Sequence, residues 1–300
     1  MKKLECIFLF LFIFNVGYGQ ITFCGKKVYP APVFSQSALA KLQFQLSTAQ
    51  EIYQKDTTHA DAIIWFGRRL AYLGRYDEAI QLFSLGIKKH PSDARMYRHR
   101  GHRYLTTRCW DKALDDFIMA AKLIKNKPDQ VEPDGMPNDK NIPTSTLQSN
   151  IWYHLGLAFY IKQNYQAAVD AFEQCLKVSK NPDMYVATAN WYYISLLELD
   201  RKKEADALLL TITEDMELIE NEGYHQILML YKNENGPSEK EENLLNNLDN
   251  LQNTTLAFGL GNYYRLKGDK EKAMAIFKGV VDGNQWGSFA YMAAESKMIK

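Results

Sequence analysis

Residues 152–172 read WYHLGLAFYIKQNYQAAVDAF, and this stretch decides the fold. Three of its residues, Gly156, Ala168 and Phe172, mark positions that recur earlier in the chain. The earlier copies are Gly67, Ala79 and Phe83, and then Gly101, Ala113 and Phe117. The first two copies lie 34 residues apart, and the third follows the second by 55. Because 55 is 34 plus 21, an insertion of about 21 residues separates the second unit from the third.

The spacing of small and large residues in these copies fits a pair of packed helices. A glycine in the middle of the first helix lets the second helix approach closely, and the alanine of the second helix does the same from its side. Apolar residues recur at intervals of three and four, and no strand pattern follows residue 19. One helix pair cannot bury its own apolar face, so several pairs must stack.

This pattern resembles that of the tetratricopeptide repeat family, in which Leu-Gly and an aromatic residue are followed by Ala-x3-Phe and a late proline. The copies begin at Ile63, Tyr97, Trp152 and Ala257. The resemblance extends over residues 60–280. It implies an all-α fold, a right-handed superhelical solenoid of antiparallel helix pairs.

The resemblance and the N-terminal composition together predict the order of segments along the chain. They are a signal peptide at residues 1–19, an N-terminal extension at 20–36, a capping helix at 37–59, repeats 1 and 2 at 60–127, a proline-rich insertion loop at 128–148, repeats 3 to 6 at 149–282, and a C-terminal capping helix at 283–300. Repeats 4 and 5 are degenerate copies of the pattern.

The charge of the chain is balanced. Its 300 residues include 36 Lys and Arg against 35 Asp and Glu, a formal net charge of +1. Such a composition is that of a folded soluble protein and excludes disordered, collagen-like and coiled-coil classes. It creates no global attraction to nucleic acid, so we expect no nucleic-acid partner, and an anion site would require a local cluster.

The N-terminus has the pattern of a secretory signal. Lys2 and Lys3 precede an apolar run over residues 6–16, which is about half the roughly 20 residues that span a bilayer as a helix. Gly17 and Gly19 supply the small residues of a cleavage site. We expect an exported protein, periplasmic or extracellular, with no stable membrane span after cleavage. A short membrane anchor is the alternative.

Cysteines are few. Four in the chain exclude a disulfide-stapled scaffold, and three remain after signal cleavage, so at least one thiol stays free or pairs outside the chain. We interpret Cys109 and Cys175 as packing residues. We do not expect a lipid anchor at Cys24, because the bulky Phe23 precedes it where a small residue is needed.

The first helix of the second repeat departs from the pattern. Arg100 stands where the repeat has Leu, and Arg103 takes a place that faces the neighbouring helix. Burying a guanidinium group lowers the stability of the fold by roughly several kcal/mol unless a carboxylate or phosphate pairs with it. In one interpretation nearby acids, such as Asp116 or those of the insertion, neutralise them internally. In the other, some of these side chains hold an anionic ligand by bidentate contacts.

The insertion carries four of the nine prolines and four acids. A connection of this length inside a compact array is usually functional or disordered, and its prolines and apolar residues favour an ordered loop. Our hypothesis is that Glu132 and Asp134 reach the cluster formed by Arg98, Arg100 and Arg103, so that the loop acts as a lid or a pseudo-ligand.

In relatives that grip peptide termini, Lys, Asn and Arg on the first helices clamp a carboxylate. The corresponding positions here are Ile64, Arg68, His99, Asn150 and His154. Of these, Arg68 keeps comparable chemistry, so the clamp is not carried over as an activity. The resemblance implies that the concave groove is lined by binding residues. They are Arg68, Arg98, His99, His102, Asn150, Tyr153 and His154.

The sequence contains no catalytic motif, and we predict no catalytic residue, cofactor or metal. His99, His102 and His154 could approach one another, but the neighbouring arginines would repel a divalent cation. A histidine pair that tunes anion binding near pH 6 is a second option. We therefore expect a non-catalytic scaffold for a protein or peptide partner, such as one with an acidic or carboxylate group. The alternative is a receptor or enzyme for a small anionic ligand beneath the insertion loop, and a third is a purely structural cluster.

Overall fold

Helix follows helix through the described part of the chain, which comprises residues 20–22, 24, 28–233 and 236–298 of a computed structural model. The helices are α1 Gln36–Lys55, α2 Ala60–Tyr72, α3 Tyr76–Lys89, α4 Ala94–Thr106, α5 Trp110–Ile124, α6 Leu147–Ile161, α7 Tyr165–Val178, α8 Pro182–Glu198, α9 Lys202–Leu210, α10 Glu222–Lys232, α11 Glu239–Asn243, α12 Leu251–Leu266, α13 Lys270–Asp282 and α14 Phe289–Met298, with a 3-10 turn at Leu244–Asn246. The expected signal peptide lies outside the described residues.

The repeats form as antiparallel helix pairs, α2 with α3, α4 with α5, α6 with α7 and α12 with α13. In each pair a glycine of the first helix faces a phenylalanine ring of the second. A Cβ on Gly67 would lie 2.5 Å from the Phe83 ring, and one on Gly156 would lie 2.5 Å from the Phe172 ring. Stacked pairs then bury one large core and a second, smaller cluster that includes Ala120 and Ile151. The fold is an all-α, right-handed superhelical solenoid, as predicted.

The N-terminal extension contains structure that the sequence did not indicate. Strands β1 Gln20–Thr22 and β2 Val28–Pro30 pair antiparallel, although we expected no strand after residue 19. Cys24 lies in the turn between them and forms a disulfide with Cys109. The interpretation of Cys109 as a packing residue was therefore wrong, because its partner lies 85 residues away in sequence. Cys175 is buried and has a free thiol.

The C-terminal helix does not simply close the end of the array. Although α14 packs on α13, it also contacts α12 and α6, so it lies across the first helices of several repeats. Its middle residues, Met292, Ala293 and Ala294, are completely buried. Burial of successive residues on different sides of a helix requires protein on more than one side of it. Besides packing on α13 at the end of the array, α14 thus extends over the concave face, which the expectation of a C-terminal capping helix at residues 283–300 did not include.

None of the helices in the described ranges is long and apolar enough to cross a membrane.

Candidate functional site

The first helices of the repeats line the concave face, and two segments of the chain cover it. One is the insertion between α5 and α6, and the other is α14. The resemblance implied that seven binding residues line the concave groove. The residues expected to line it are instead mostly buried, with Arg98 9% exposed, His99 5%, Asn150 9% and His154 4%.

Phe289, the first residue of α14, makes aromatic contacts with repeats 2 and 3. Its ring centre lies 5.6 Å from that of His102 on α4. It also lies 6.0 Å from Tyr153 and 5.4 Å from His154, both on α6. The edge-to-face arrangement with the two α6 rings is a favourable aromatic geometry. The start of α14 is therefore anchored between α4 and α6.

The other end of α14 is held by a charged network. Lys297 forms an ion pair with Glu198 at the end of α8, and its Nζ donates a hydrogen bond to the Tyr165 hydroxyl at 2.9 Å. Arg265 of α12 contacts the same carboxylate at 2.9 Å. Burial lowers the pKa of Lys297, while Glu198 opposes that shift. Two cations thus share one mostly buried carboxylate at this end of α14.

The N-terminal extension lies on α14 from the solvent side. Glu295 accepts hydrogen bonds from the Tyr29 hydroxyl and from Nε of Arg108, the latter at 2.9 Å. The Arg108 guanidinium lies 4.5 Å from the centre of the Tyr29 ring and donates to the carbonyl of Trp286 at 2.8 Å. A cation between a carboxylate and an aromatic face is stabilised by both. The sequence analysis did not identify these residues, because no local motif or spacing marks any of them.

The insertion is tied to the solenoid at its base and at its tip. At the base, the backbone N–H of Leu147 donates to the Gln130 carbonyl at 2.9 Å. At the tip, Arg68 donates to the Pro133 carbonyl at 2.8 Å, and Arg69 donates to the Gly135 carbonyl at 2.7 Å. Arg68 therefore holds the loop rather than facing an open groove.

Glu132 of the insertion is the carboxylate that meets the basic helix. It is 7% exposed, and its oxygens lie 3.2 Å from Nε of Arg98 and 3.3 Å from Nε2 of His99. Nδ2 of Asn150 donates a hydrogen bond to it at 3.0 Å. The expected contact between the loop and Arg98 is present in the structure. The loop thus supplies an internal partner for part of the cluster.

Arg100 and Arg103 do not contact the insertion, which corrects that part of the hypothesis. Arg100 makes two hydrogen bonds to Asp116 on α5, at 2.7 and 2.8 Å, and these raise its pKa. The Arg103 guanidinium instead lies 5.4 Å from the centre of the Tyr76 ring. Asp134 is exposed, and it forms no ion pair within the described ranges. Asp116 is closer to Arg100 because it faces it across the same helix pair.

Three imidazoles lie behind Glu132. Burial and the positive charges of neighbouring arginines lower the pKa of His99, His102 and His154 well below the usual value. His154 Nδ1 bonds to the Asn150 carbonyl at 2.6 Å, and its ring centre lies 4.5 Å from that of His102. These rings are therefore neutral at pH 7. No group of three or more His, Cys, Asp or Glu side chains within the described residues is arranged to hold a metal ion.

Tyr153, also expected in the groove, belongs to a buried hydrogen-bonded trio. Nε1 of Trp191 donates to its hydroxyl at 3.0 Å, and that hydroxyl donates to Tyr224 at 3.2 Å. The side chain is 7% exposed. It thus contributes packing and a polar link between α6, α8 and α10.

Comparison with known proteins identifies the repeats in the same part of the chain. Tetratricopeptide repeat models match residues 66–130 and 149–182. No curated protein matches the sequence. Solved structures that are similar include YrrB, described as a TPR protein with an unusual peptide-binding site, at 14% identity and a TM-score of 0.45 over 84% of this chain and 98% of that one. Another is TTC0263 of Thermus thermophilus, a thermophilic TPR protein, at 16% identity and a TM-score of 0.40 over 75% and 91%. The matched sequence ranges contain the glycine, alanine and phenylalanine positions that pack within the first three helix pairs, and residues 66–130 and 149–182 are tetratricopeptide repeats.

Proposed function

We propose that this protein is a protein-binding scaffold whose concave groove takes a helical segment of its partner in the place of α14. Stacked repeats of this family build interaction scaffolds that are generally non-catalytic. The observation that carries the proposal is that the groove already surrounds a helix. The structure thus supplies an example of the ligand geometry that the groove can bury.

The contacts of α14 define the partner's chemistry. An aromatic side chain fits between α4 and α6 as Phe289 does. Small residues are buried along the first helices of the repeats as Ala293 and Ala294 are. A basic residue meets Glu198 as Lys297 does. Aromatic anchors and charged end contacts are the usual determinants of helix-in-groove recognition. The partner segment is therefore expected to be an apolar helix with a cationic C-terminal turn.

We further propose that the protein acts outside the cytoplasm. The N-terminal pattern is that of a secretory signal, and the Cys24–Cys109 disulfide suits an oxidising compartment. A direct check is thiol counting on the mature chain. Without reduction the denatured protein should accept one maleimide, at Cys175, and after reduction three. Retention of the leader would add Cys6 as a fourth, and a reduced protein isolated from the cell would contradict the proposal.

The groove is tested with a fluorescent peptide of residues 286–298 and the full-length protein. In wild type the tethered α14 competes at an effective concentration of roughly millimolar, so the peptide should bind weakly. Phe289→Ala and Lys297→Met each weaken the docking of α14. We expect each variant to bind the peptide about tenfold more tightly than wild type does.

The matched control is Lys278→Met, which removes an exposed ion pair with Asp282 on α13 and leaves the groove untouched. Its affinity for the peptide should equal that of wild type. If neither α14 variant gains affinity while circular dichroism shows both to be folded, α14 is a permanent part of the core and the proposal fails. Equal gains in the control would reveal nonspecific binding and would also count against it.

A further inference from the structure

Helix α14 presents two opposite faces to the rest of the chain. Phe289 and Lys297, spaced by eight residues, lie on the face that meets the groove. Tyr291 and Glu295 are offset from that row by two residues, which turns them about 200° around the helix axis. On that side Tyr29 of the N-terminal extension contacts both of them. The helix is therefore held from two sides.

The second side is formed by a short two-stranded ribbon. We call its described residues, 20–22, 24 and 28–30, the strap. The Tyr29 side chain is 3% exposed, and its ring centre lies 5.2 Å from that of Trp286 and 6.3 Å from that of Tyr291. Its hydroxyl donates a hydrogen bond to Glu295. Two strands alone are marginally stable in water, so the strap depends on these contacts and on a covalent anchor.

The covalent anchor is the disulfide between Cys24 and Cys109. Cys109 directly follows Arg108, whose guanidinium donates hydrogen bonds to Glu295 and to the Trp286 carbonyl. The bridge thus fixes the strap beside a second residue that holds the same face of α14. Once the bridge is open, the strap is joined to the solenoid through the segment that leads to α1. Cys24 is exposed, so a reductant can reach the bridge.

We propose that the strap is a redox-controlled latch. While the Cys24–Cys109 bridge is closed, the strap holds α14 in the groove, and reduction of the bridge lets a partner helix replace α14. This inference rests on the proposed function and adds its regulation. A partner that matches the groove face of α14 needs no counterpart of Tyr291 or Glu295, so the closed strap favours α14 over that partner. Opening the latch removes this advantage.

The reductant is a dithiol, either a small molecule or a pair of cysteines on another protein. One of its sulfurs attacks Sγ of the exposed Cys24 as the thiolate and expels the thiolate of Cys109. Its second sulfur then displaces Cys24, and the dithiol leaves as a disulfide. The bridge thereby accepts two electrons and two protons, with one proton on each cysteine sulfur. The reverse exchange with a disulfide closes the latch.

The test uses the full-length protein, dithiothreitol as the dithiol and two fluorescent peptides, with affinity measured by fluorescence anisotropy. The groove-face peptide comprises residues 287–298 with Tyr291→Ala and Glu295→Ala, so it lacks the contacts with the strap. The second peptide is the unaltered segment 286–298. Reduction should tighten binding of the groove-face peptide by about tenfold. The gain for the unaltered peptide should be smaller, because that peptide loses its own contacts with the strap.

Two variants test the latch without relying on reduction of the wild type. Cys24→Ser should bind the groove-face peptide as tightly as reduced wild type does, and dithiothreitol should leave its affinity unchanged. Tyr29→Ala keeps the bridge but removes the contact with α14, so it should gain affinity before any reductant is added. Circular dichroism checks that each protein is folded. If reduction unfolds the chain, the result with Tyr29→Ala decides.

The matched control is Gly67→Ala, which crowds the Phe83 ring within repeat 1 and lowers stability away from α14. Its affinity for the groove-face peptide should equal that of oxidised wild type. A gain in this control as large as that of Tyr29→Ala would assign the effect to lost stability and overturn the latch. An equal gain for both peptides on reduction, or none for the groove-face peptide, would overturn it as well.

The outcome also separates the latch from the function on which it rests. Phe289→Ala and Lys297→Met test the groove with the strap closed. If they gain affinity for the unaltered peptide while Cys24→Ser and Tyr29→Ala gain none for the groove-face peptide, the groove function stands and the latch is wrong. If none of the four variants gains affinity, both proposals are wrong.

Discussion

The hydroxyl of Tyr29 donates a hydrogen bond to the carboxylate of Glu295, although 266 residues separate the two in sequence. Tyr29 also lies 5.2 Å from the ring of Trp286. Strand β2 therefore packs on α14, the last described helix, through Tyr29. This contact joins the two ends of the described chain on one side of the solenoid.

Replacing Tyr29 with phenylalanine should lower the free energy of unfolding by about 1–2 kcal/mol, because a mostly buried carboxylate loses a donor. Arg108 keeps Glu295 paired, which holds the loss to that range. Urea denaturation measures it. Tyr97→Phe is the control, since its hydroxyl makes a 3.2 Å bond to an exposed carbonyl of Pro91, and it should change stability by less than about 0.5 kcal/mol.

Reduction of the Cys24–Cys109 disulfide should destabilise the protein by about 2–4 kcal/mol, because the bridge closes a long loop in the unfolded chain. Melting curves with and without dithiothreitol show the change. Cys24→Ser should melt near the temperature of the reduced wild type and should not respond to the reductant. A wild-type curve that dithiothreitol leaves in place would contradict the assigned pairing.

Gly156→Ala should lower stability by about 1–3 kcal/mol, although alanine favours helix formation over glycine. Its Cβ would lie 2.5 Å from the Phe172 ring, which has no space to move in a closed core. Gly287→Ala provides the comparison, because no atom lies within 4 Å of the added methyl group. If both variants unfold at the same denaturant concentration, the glycine does not set the distance between α6 and α7.

Stability should fall as pH decreases from 6.5. The pKa values of His99, His102 and His154 are lower in the folded state than in the unfolded state, so the unfolded chain binds more protons in this range. Each imidazole adds up to about 1.4 kcal/mol per pH unit to the slope, and its contribution is fully present above pH 6.5. In His154→Asn the slope of unfolding free energy between pH 5 and 6.5 should decrease by about that amount. An unchanged slope would show that His154 already titrates normally.

The repeat architecture could be predicted because its signal is local. Gly67 and Phe83 meet within one helix pair, and the same spacing returns in every well-formed copy. The contact between Glu132 and Arg98 could also be predicted, because an unusual basic helix and an acidic insertion lie close together in the sequence. The partner of Arg100 remained open between two sets of acids, and the structure pairs it with Asp116.

The covering of the concave face could not be predicted in the same way. Lys297 and Glu198 lie 99 residues apart, and each fits an ordinary helical context. The composition of α14 suits an end cap as well as a groove, because both bury apolar residues. Whether α14 caps the end of the array or enters the groove depends on the curvature of the stacked repeats. That curvature is a property of the whole array rather than of any segment.

The position of α14 also determines the order in which the protein can reach its final state. Synthesis proceeds from the N-terminus, so α14 leaves the ribosome after every helix that it covers. The repeats can stack through neighbouring contacts before it arrives, while their concave apolar surface is exposed to water. A nascent chain of this protein therefore leaves uncovered a concave surface that the finished molecule fills with its own last described helix.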